Sequence, residues 1–156
     1  MENKSKVQDT AVSTAVLPFR ATVSTGEYFD EATNGMREFV NCILDNPFDD
    51  PDFTDIRISP KWKSAKGTFD FKAKKILRSQ GSFEIKGEIK LGTYFNKKKK
   101  RKVVYPGMFV ENPFGDGTIE FGVKREEDAA VFSMLASDYF KTQLETETAE
   151  AESPNN

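Results

Sequence analysis

The sequence predicts an α+β fold, an antiparallel sheet of about five or six strands with one helix before it and one C-terminal helix packed on it. Fourteen Phe and four Tyr in 156 residues favour β-structure, where aromatic rings fill a pleated face. Residues 82–95 alternate apolar and polar side chains, as a strand with one buried and one solvated face does. Residues 125–144 instead repeat apolar side chains at helical spacing.

The segments before the main strand predict two short strands and one helix. Residues 17–23 alternate, and Pro18 would place that strand at a sheet edge or shorten it. In residues 33–46, apolar side chains step by three and four, which predicts a helix of about three turns. Residues 55–58 predict a short strand that ends at Pro60.

The rest of the chain continues the sheet and ends in the second helix. Residues 68–78 alternate and then shift phase as at a β-bulge, so with a turn at Gln80-Gly81 they predict a hairpin with the strand at 82–95. The remaining predicted elements are an exposed tip at 96–102, strands at 103–110 and 119–123 with a turn at 112–117 between them, and the helix at 125–144.

The chain length suits one domain of roughly 100–150 residues, which we place at residues 13–144. Residues 1–12 are polar and residues 145–156 are acidic and free of aromatic side chains, so both are expected to be disordered tails. No apolar run of about 18 residues and no apolar leader are present, which predicts a soluble cytoplasmic protein.

Positive charge is concentrated in the middle third of the chain. Residues 57–102 hold sixteen of the 23 Lys and Arg side chains and only three acids. The net charge is therefore −7 for residues 1–56, +13 for 57–102 and −8 for 103–156. A binding partner is attracted by this local charge and not by the net charge of the whole chain, which is −2. Concentrated positive charge favours binding to phosphate backbones and anionic surfaces.

The composition argues against enzymatic chemistry and against a cofactor or zinc site. The chain has no His and one Cys, so Ser-His-Asp catalysis, Cys-His catalysis and a Cys/His zinc site are excluded. Cys42 lies in an apolar pattern that favours a buried small hydrophobe over a reactive thiol. The acids of residues 49–55 lack calcium-loop spacing and are better explained as a solvated linker. A carboxylate-dependent nuclease is disfavoured, because it would need clustered acids in the basic block and residues 57–102 contain only three scattered acids.

The candidate nucleic-acid contacts lie in the basic block. Six consecutive cations would neutralise phosphates without reading bases; the alternatives are a solubilising loop or, with Val103, a nuclear localisation signal. Trp62 and Tyr94 stand beside cations, where a base could stack, or they are a half-buried side chain and the cover of a sheet edge. The predicted binding residues are Lys61, Trp62, Lys63, Lys72, Lys74, Lys86, Lys90, Tyr94, Lys97, Lys98, Lys99, Lys100, Arg101 and Lys102.

Residues 55–143 resemble the stage V sporulation protein G (SpoVG) family of small bacterial regulators. The segment DIRI at 55–58 is similar to the motif that opens the family, and GMFVENP at 107–113, followed by a turn, a strand and a helix, is similar to its second motif. The chain departs from the family at 114–116, where FGD replaces Ser and basic residues. The resemblance implies a sheet with a packed helix, dimers and nucleic-acid-binding regulation.

The sequence therefore predicts a non-enzymatic nucleic-acid-binding protein, with DNA favoured over RNA, of a SpoVG-like regulatory or single-stranded-DNA-binding type. The alternative is a protein-interaction module, for instance a phage-encoded adaptor or inhibitor, that docks an acidic partner on its basic patch. A homodimer is expected from the resemblance alone. The acidic C-terminal segment would either compete for the basic surface or serve solubility.

Overall fold

Long alternating segments pair side by side so that each of the six strands has two neighbours, and the result is a closed antiparallel barrel. The computed structural model describes residues 15–152. The strands are β1 (Leu17–Asp30), β2 (Gly35–Leu44), β3 (Ile56–Pro60), β4 (Ser82–Asn96), β5 (Arg101–Glu111) and β6 (Thr118–Val123). The helices are α1 (Lys63–Gln80), between β3 and β4, and α2 (Glu126–Glu152), after β6.

The strands follow one another around the barrel in the order β1-β2-β3-β6-β5-β4, and β4 returns to β1. The two longest pairings are hairpins, β1–β2 and β4–β5, each in antiparallel register along its length. β1 also pairs with β4, from Leu17 opposite Ile89 to Ser24 opposite Ser82. The predicted α+β class, an antiparallel sheet with two helices, is confirmed.

The core lies inside the barrel because side chains alternate between its two faces. On β4, Ile85 and Ile89 are buried while Lys86 and Lys90 are exposed. The other strands contribute in the same way, with fully buried side chains that include Val23, Leu44, Ile56, Ile58, Met108, Val110 and Phe121.

α1 packs against β1, β2, β3 and β4 through residues spaced four apart. Phe69, Ala73 and Leu77 share one face of the helix and are buried. The Phe69 ring meets Phe121 edge-on, with ring centres 5.4 Å apart. Gly81, at φ +80°, ends the helix, and its N–H donates a hydrogen bond to the Leu77 carbonyl.

The prediction of a strand and hairpin at residues 68–78 was therefore wrong. Phe69, Phe71 and Ala73 do alternate, but the buried set is the one spaced for a helix, and Phe71 points to solvent. An ion pair between Lys66 and Asp70, one helical turn apart, adds support that a strand would not have.

The helix predicted at residues 33–46 was also wrong, because this segment is strand β2. Its apolar residues step by three and four, yet Val40, Cys42 and Leu44 alternate inward while Met36 is exposed. The short turn after Asp30 returns the chain directly along β1, so pairing with β1 decides its conformation.

β1 is longer than predicted and is not an edge strand. Pro18 lies at its second position, opposite Glu88, where the first part of a strand tolerates a missing N–H. The other predicted strands, at 55–58, 82–95, 103–110 and 119–123, are confirmed as β3, β4, β5 and β6, and the exposed tip and the turn at 112–117 also lie where predicted.

α2 packs on β5 and β6 and continues beyond the predicted end. Phe132, Ala136 and Phe140 repeat every four residues and are buried, and Phe132 lies 5.9 Å, ring centre to ring centre, from Phe48 in the β2–β3 connection. The helix runs through 145–152, a stretch assigned to a disordered tail, because Ala and Glu favour helix and no Gly or Pro interrupts it. The predicted tail at 1–12 lies outside the described residues.

Candidate functional site

The outer surface of strands β4 and β5 gathers several of the predicted binding residues. Since Ile85 and Ile89 point into the barrel, the alternate positions Lys86, Lys90 and Tyr94 point outward. The same alternation on β5 places Tyr105 and Phe109 on this outer surface. A flat strip of aromatic and basic side chains therefore runs along the hairpin.

Tyr105 lies at the centre of this strip because its partner position on β4 is a glycine. Gly92 stands opposite Tyr105 in the register, and the ring lies over it. A Cβ atom at position 92 would lie 3.0 Å from the ring of Tyr105, closer than ordinary van der Waals contact. Gly92 therefore lets the ring lie flat against the sheet.

The hydroxyl of Tyr105 ties β5 to β6 and to the end of β3. It donates a hydrogen bond to Oε2 of Glu120, at 2.9 Å, and the Nζ of Lys61 lies 3.2 Å from the same oxygen. Lys61 also pairs with Glu120 through the backbone, where its N–H donates to the Glu120 carbonyl. Burial, the hydrogen bond to Glu120 and the charge of that carboxylate raise the pKa of Tyr105 above its ordinary value.

Lys61 joins the two aromatic residues that the sequence singled out. Its Nζ lies 4.9 Å from the centre of the Tyr105 ring and 5.8 Å from that of Trp62. On the other side, Tyr94 meets Tyr105 edge-on, with ring centres 5.8 Å apart. The four residues form a continuous row, Trp62–Lys61–Tyr105–Tyr94, which we call the aromatic row. Its two ends, Trp62 and Tyr94, are each exposed over half their surface or more.

The row leads to six cations, residues 97–102, which we call the basic tip. Residues 97–100 form the turn of the β4–β5 hairpin, and Arg101 and Lys102 begin β5. All six side chains are exposed, and none has an acidic partner within 4.0 Å among residues 15–143. Tyr94 stands three residues before the turn, so the charge and the aromatic row are contiguous.

Lys86 and Lys90 lie farther along the same outer surface, at an open groove of about 590 Å³. The Nζ of Lys90 sits 5.2 Å from the centre of the Phe109 ring. Glu88 and Glu111 line the groove as well, so its positive potential is weaker than that of the basic tip.

Helix α1 carries the other predicted cations, Lys63, Lys72 and Lys74. Lys63 is its first residue, directly after Trp62, and is exposed near one end of the row. Lys72 instead lines a recess with Asn112 and Phe114, and Lys74 lines another with Glu38. Lys72 and Lys74 were predicted on a strand that forms a hairpin with the strand at 82–95, and because the segment is a helix they lie in recesses away from the outer surface of β4 and β5.

The sequence reasoning missed Tyr105 and Glu120. The signal for Tyr105 was the alternation of Val103, Tyr105 and Gly107 directly after the basic tip. The partnership with Glu120 had no sequence signal, because it depends on how β5 and β6 pair.

No set of three His, Cys, Asp or Glu side chains in the described part of the chain is placed to bind a metal ion. Neither of the described helices combines the length and apolar character needed to cross a bilayer.

Comparison with known proteins adds no family assignment, so the resemblance to the SpoVG family stays a prediction. Neither the protein-family models, nor the curated proteins, nor the solved structures contain a match to this chain.

Proposed function

We propose that this protein binds single-stranded nucleic acid, with DNA as the preferred form, as a non-enzymatic cytoplasmic binding protein. The observation that supports this most is the contiguity of the basic tip with the aromatic row on one outer surface. The tip supplies unpaired positive charge, and the row supplies exposed rings at Trp62 and Tyr94. Proteins that bind single strands combine these two features.

The basic tip would contact the phosphates. Six exposed cations without acidic partners among the described residues can displace counterions from a nucleic-acid backbone. Such contacts give affinity without base readout and weaken steeply as salt rises. Lys61 contributes less, because its charge is already shared with Glu120.

The aromatic row would stack against bases. Trp62 and Tyr94 expose much of their rings, and Tyr105 is held between them by its hydrogen bond to Glu120. A base in a duplex is already stacked on both faces, so ring faces of this kind discriminate in favour of unpaired bases. Each such contact contributes about 1–3 kcal/mol.

The barrel itself is compatible with this ligand. Small antiparallel barrels of the oligonucleotide-binding fold hold single strands on one sheet face and in the adjacent loops. Tyr94 and Tyr105 lie on a sheet face, Lys61 and Trp62 lie in the adjacent β3–α1 connection, and most of the basic tip is the adjoining hairpin turn. This is an analogy of architecture, and the proposal rests on the side chains.

Fluorescence anisotropy with labelled single-stranded DNA, duplex DNA and single-stranded RNA across a salt series tests the proposal. The test variant replaces Lys97, Lys98, Lys99 and Lys100 by Ser. The matched control replaces Lys72 and Lys74 by Ser, which removes cations of α1 that lie away from the row. We expect tightest binding to single strands, and a log–log salt slope that is shallower by up to about 0.7 per lost phosphate contact in the tip variant alone.

Three results would overturn the proposal. Absence of binding to every probe at low salt would remove nucleic acid as the ligand and favour an acidic protein partner. Equal losses for each lysine removed, in the four-lysine tip variant and in the two-lysine Lys72/Lys74 control, would mean a diffuse charge effect. Preference for the duplex would contradict the assigned role of the aromatic row.

A further inference from the structure

Two hairpins extend past the barrel at opposite ends of the β1–β4 pair. β1 and β4 are paired only from Leu17 opposite Ile89 to Ser24 opposite Ser82. β1 therefore continues, with β2, beyond the start of β4, while β4 continues, with β5, beyond the start of β1. The two projections point away from each other.

The β4–β5 projection exposes apolar side chains on the face that, nearer the start of β4, points into the barrel through Ile85 and Ile89. Phe95 is 60% exposed and Val104 is 45% exposed. They are diagonal neighbours on one face, because Phe95 pairs with Lys102 and Val104 with Thr93. The six cations of the basic tip lie between these two residues in the chain, and the segment 94–104 contains no acid.

The β1–β2 projection has the same construction with the opposite charge. Phe29 and Met36 stand opposite each other in the register and are 54% and 62% exposed. This projection, residues 27–38, which we call the acidic tip, holds four acids and one cation, Arg37. Arg37 is already paired with Asp30, its Nε 2.9 Å from Oδ2.

Two carboxylates in the acidic tip face each other across the hairpin. Glu27 and Glu38 are directly opposite in the β1–β2 register, an arrangement of like charges that destabilises a strand pair. Within residues 15–143 neither has a cation within 4.0 Å. Lys74 and Arg78 line the same recess as Glu38, at longer range. A cation brought to this pair by another molecule would relieve the repulsion.

We propose that the acidic tip of one copy docks on the basic tip of a second copy of this chain. Each surface has an exposed apolar pair framed by charge, and the charges are of opposite sign. Because the two surfaces differ and lie at opposite ends, the contact is head-to-tail and propagates into an open chain of copies rather than closing as a symmetric dimer.

The docking surface and the aromatic row lie on different faces of the β4–β5 hairpin. Phe95 and Val104 share the inward-directed face, whereas Tyr94 and Tyr105 lie on the outer face. A copy docked on the first leaves the second accessible. The cations of the basic tip are shared by the two proposed contacts, so a docked copy would compete with phosphates at the tip. The self-association itself does not depend on the proposed ligand.

Sedimentation velocity of the full chain without nucleic acid, from micromolar to near-millimolar concentration, tests the contact. We expect the weight-average mass to rise with concentration above the 17.6 kDa of one copy, and to fall back as salt is added. Replacing Phe95 and Val104 by Ser, or Phe29 and Met36 by Ser, should each weaken the association at least tenfold. Phe71→Ser is the control, since Phe71 is an exposed apolar side chain on α1 and belongs to neither tip.

A pair of charge-exchange variants tests whether the molecule docked on the basic tip is a second copy of this chain. One variant changes Lys97, Lys98, Lys99, Lys100 and Lys102 to Glu, which takes the basic tip from a net charge of +6 to −4. The other changes Glu27, Glu31 and Glu38 to Lys, which takes the acidic tip from −3 to +3. Each variant alone should stay monomeric, and an equimolar mixture should regain association because opposite charges again meet. Circular dichroism confirms that each variant is folded.

Other results would overturn the proposal. A chain that sediments as a monomer at every concentration would contradict it. Association of either charge-exchanged variant alone would also contradict it, because tips of like charge would then be in contact. A mixture that stays monomeric would show that the two tips do not meet. Because no nucleic acid is present, these outcomes are independent of those that test the proposed function.

Discussion

The Tyr105 hydroxyl and Oε2 of Glu120 are joined by a 2.9 Å hydrogen bond that crosses from β5 to β6. The bond fixes the ring at the centre of the aromatic row, and it needs the proton of the phenol. Burial, the bond to Glu120 and the negative charge of Glu120 all raise the pKa of Tyr105 above 10.0. The proton that holds the row together is therefore retained into alkaline solution.

The raised pKa of Tyr105 predicts a loss of stability at high pH. The contribution of the Tyr105 proton to the free energy of unfolding is fully present below the ordinary pKa of 10.0. It falls as the pH rises from there through the folded-state pKa, because the unfolded chain loses the proton first. Tyrosinate absorbance is titrated in the parent chain and in Tyr105→Phe. The difference between the two curves belongs to Tyr105, and its midpoint should lie above pH 10.0. Glu120→Gln should lower that midpoint, because the acceptor remains while the charge is removed. An unchanged midpoint in Glu120→Gln would contradict this account.

Replacing Tyr105 separates its ring from its hydroxyl. Tyr105→Ala removes the ring that contacts Tyr94 and Lys61, so single-strand binding should weaken by about 1–3 kcal/mol, roughly five- to 150-fold in Kd. Tyr105→Phe keeps the ring and should lose much less. Both are measured by anisotropy with the same oligonucleotide. Equal losses would show that the hydroxyl, and not the stacking surface, matters.

Gly92 should not tolerate a branched side chain. A Cβ at this position already lies 3.0 Å from the Tyr105 ring, so Gly92→Val should displace the ring and cost about 1–3 kcal/mol of unfolding free energy. The comparison is Gly67→Ala on α1, where a Cβ meets nothing within 4 Å. That change should stabilise the protein by about 0.5–1 kcal/mol, because alanine favours helix. Urea denaturation of both variants checks the pair, and a neutral Gly92→Val would count against the flat placement of the ring.

Cys42 should be inert in the folded protein. It is buried inside the barrel on β2, and burial, with a smaller contribution from the charge of Asp45, raises its pKa to about 12. The thiolate is the reactive form, so a thiol reagent at mildly alkaline pH should label the native chain far more slowly than the urea-unfolded chain. Equal rates would mean that β2 opens readily.

The strand β4 was predictable because its alternation is long and unbroken, and the basic tip because no core could accept six adjacent charges. Phe69 and Met36 show where local pattern failed. Phe69 begins both an alternating run and a four-residue repeat, and tertiary contacts, such as those with Phe121 and Phe114, select the helix. Met36 begins a helical spacing that pairing with β1 overrides.

Within the candidate site, Lys61, Trp62 and Tyr94 could be predicted from their neighbours in the sequence. Trp62 lies between two lysines, and Tyr94 lies shortly before the cations of the basic tip. Their connection could not be predicted, because Tyr105 joins them only through the register of β5 with β4 and the reach of Lys61 across β6. Lys72 and Lys74 were misplaced for the same reason as Phe69, since a helix directs them to other recesses.

Trp62 is the single tryptophan of the chain and ends the aromatic row, so its fluorescence reports directly on the surface assigned to bases. The most direct test titrates the protein with an unlabelled single-stranded oligonucleotide at low salt, with the same sequence as a duplex for comparison. The account predicts saturable quenching by the single strand, little by the duplex, and reversal when salt is added. Anisotropy-detected binding that leaves the Trp62 emission unchanged would contradict stacking on this row.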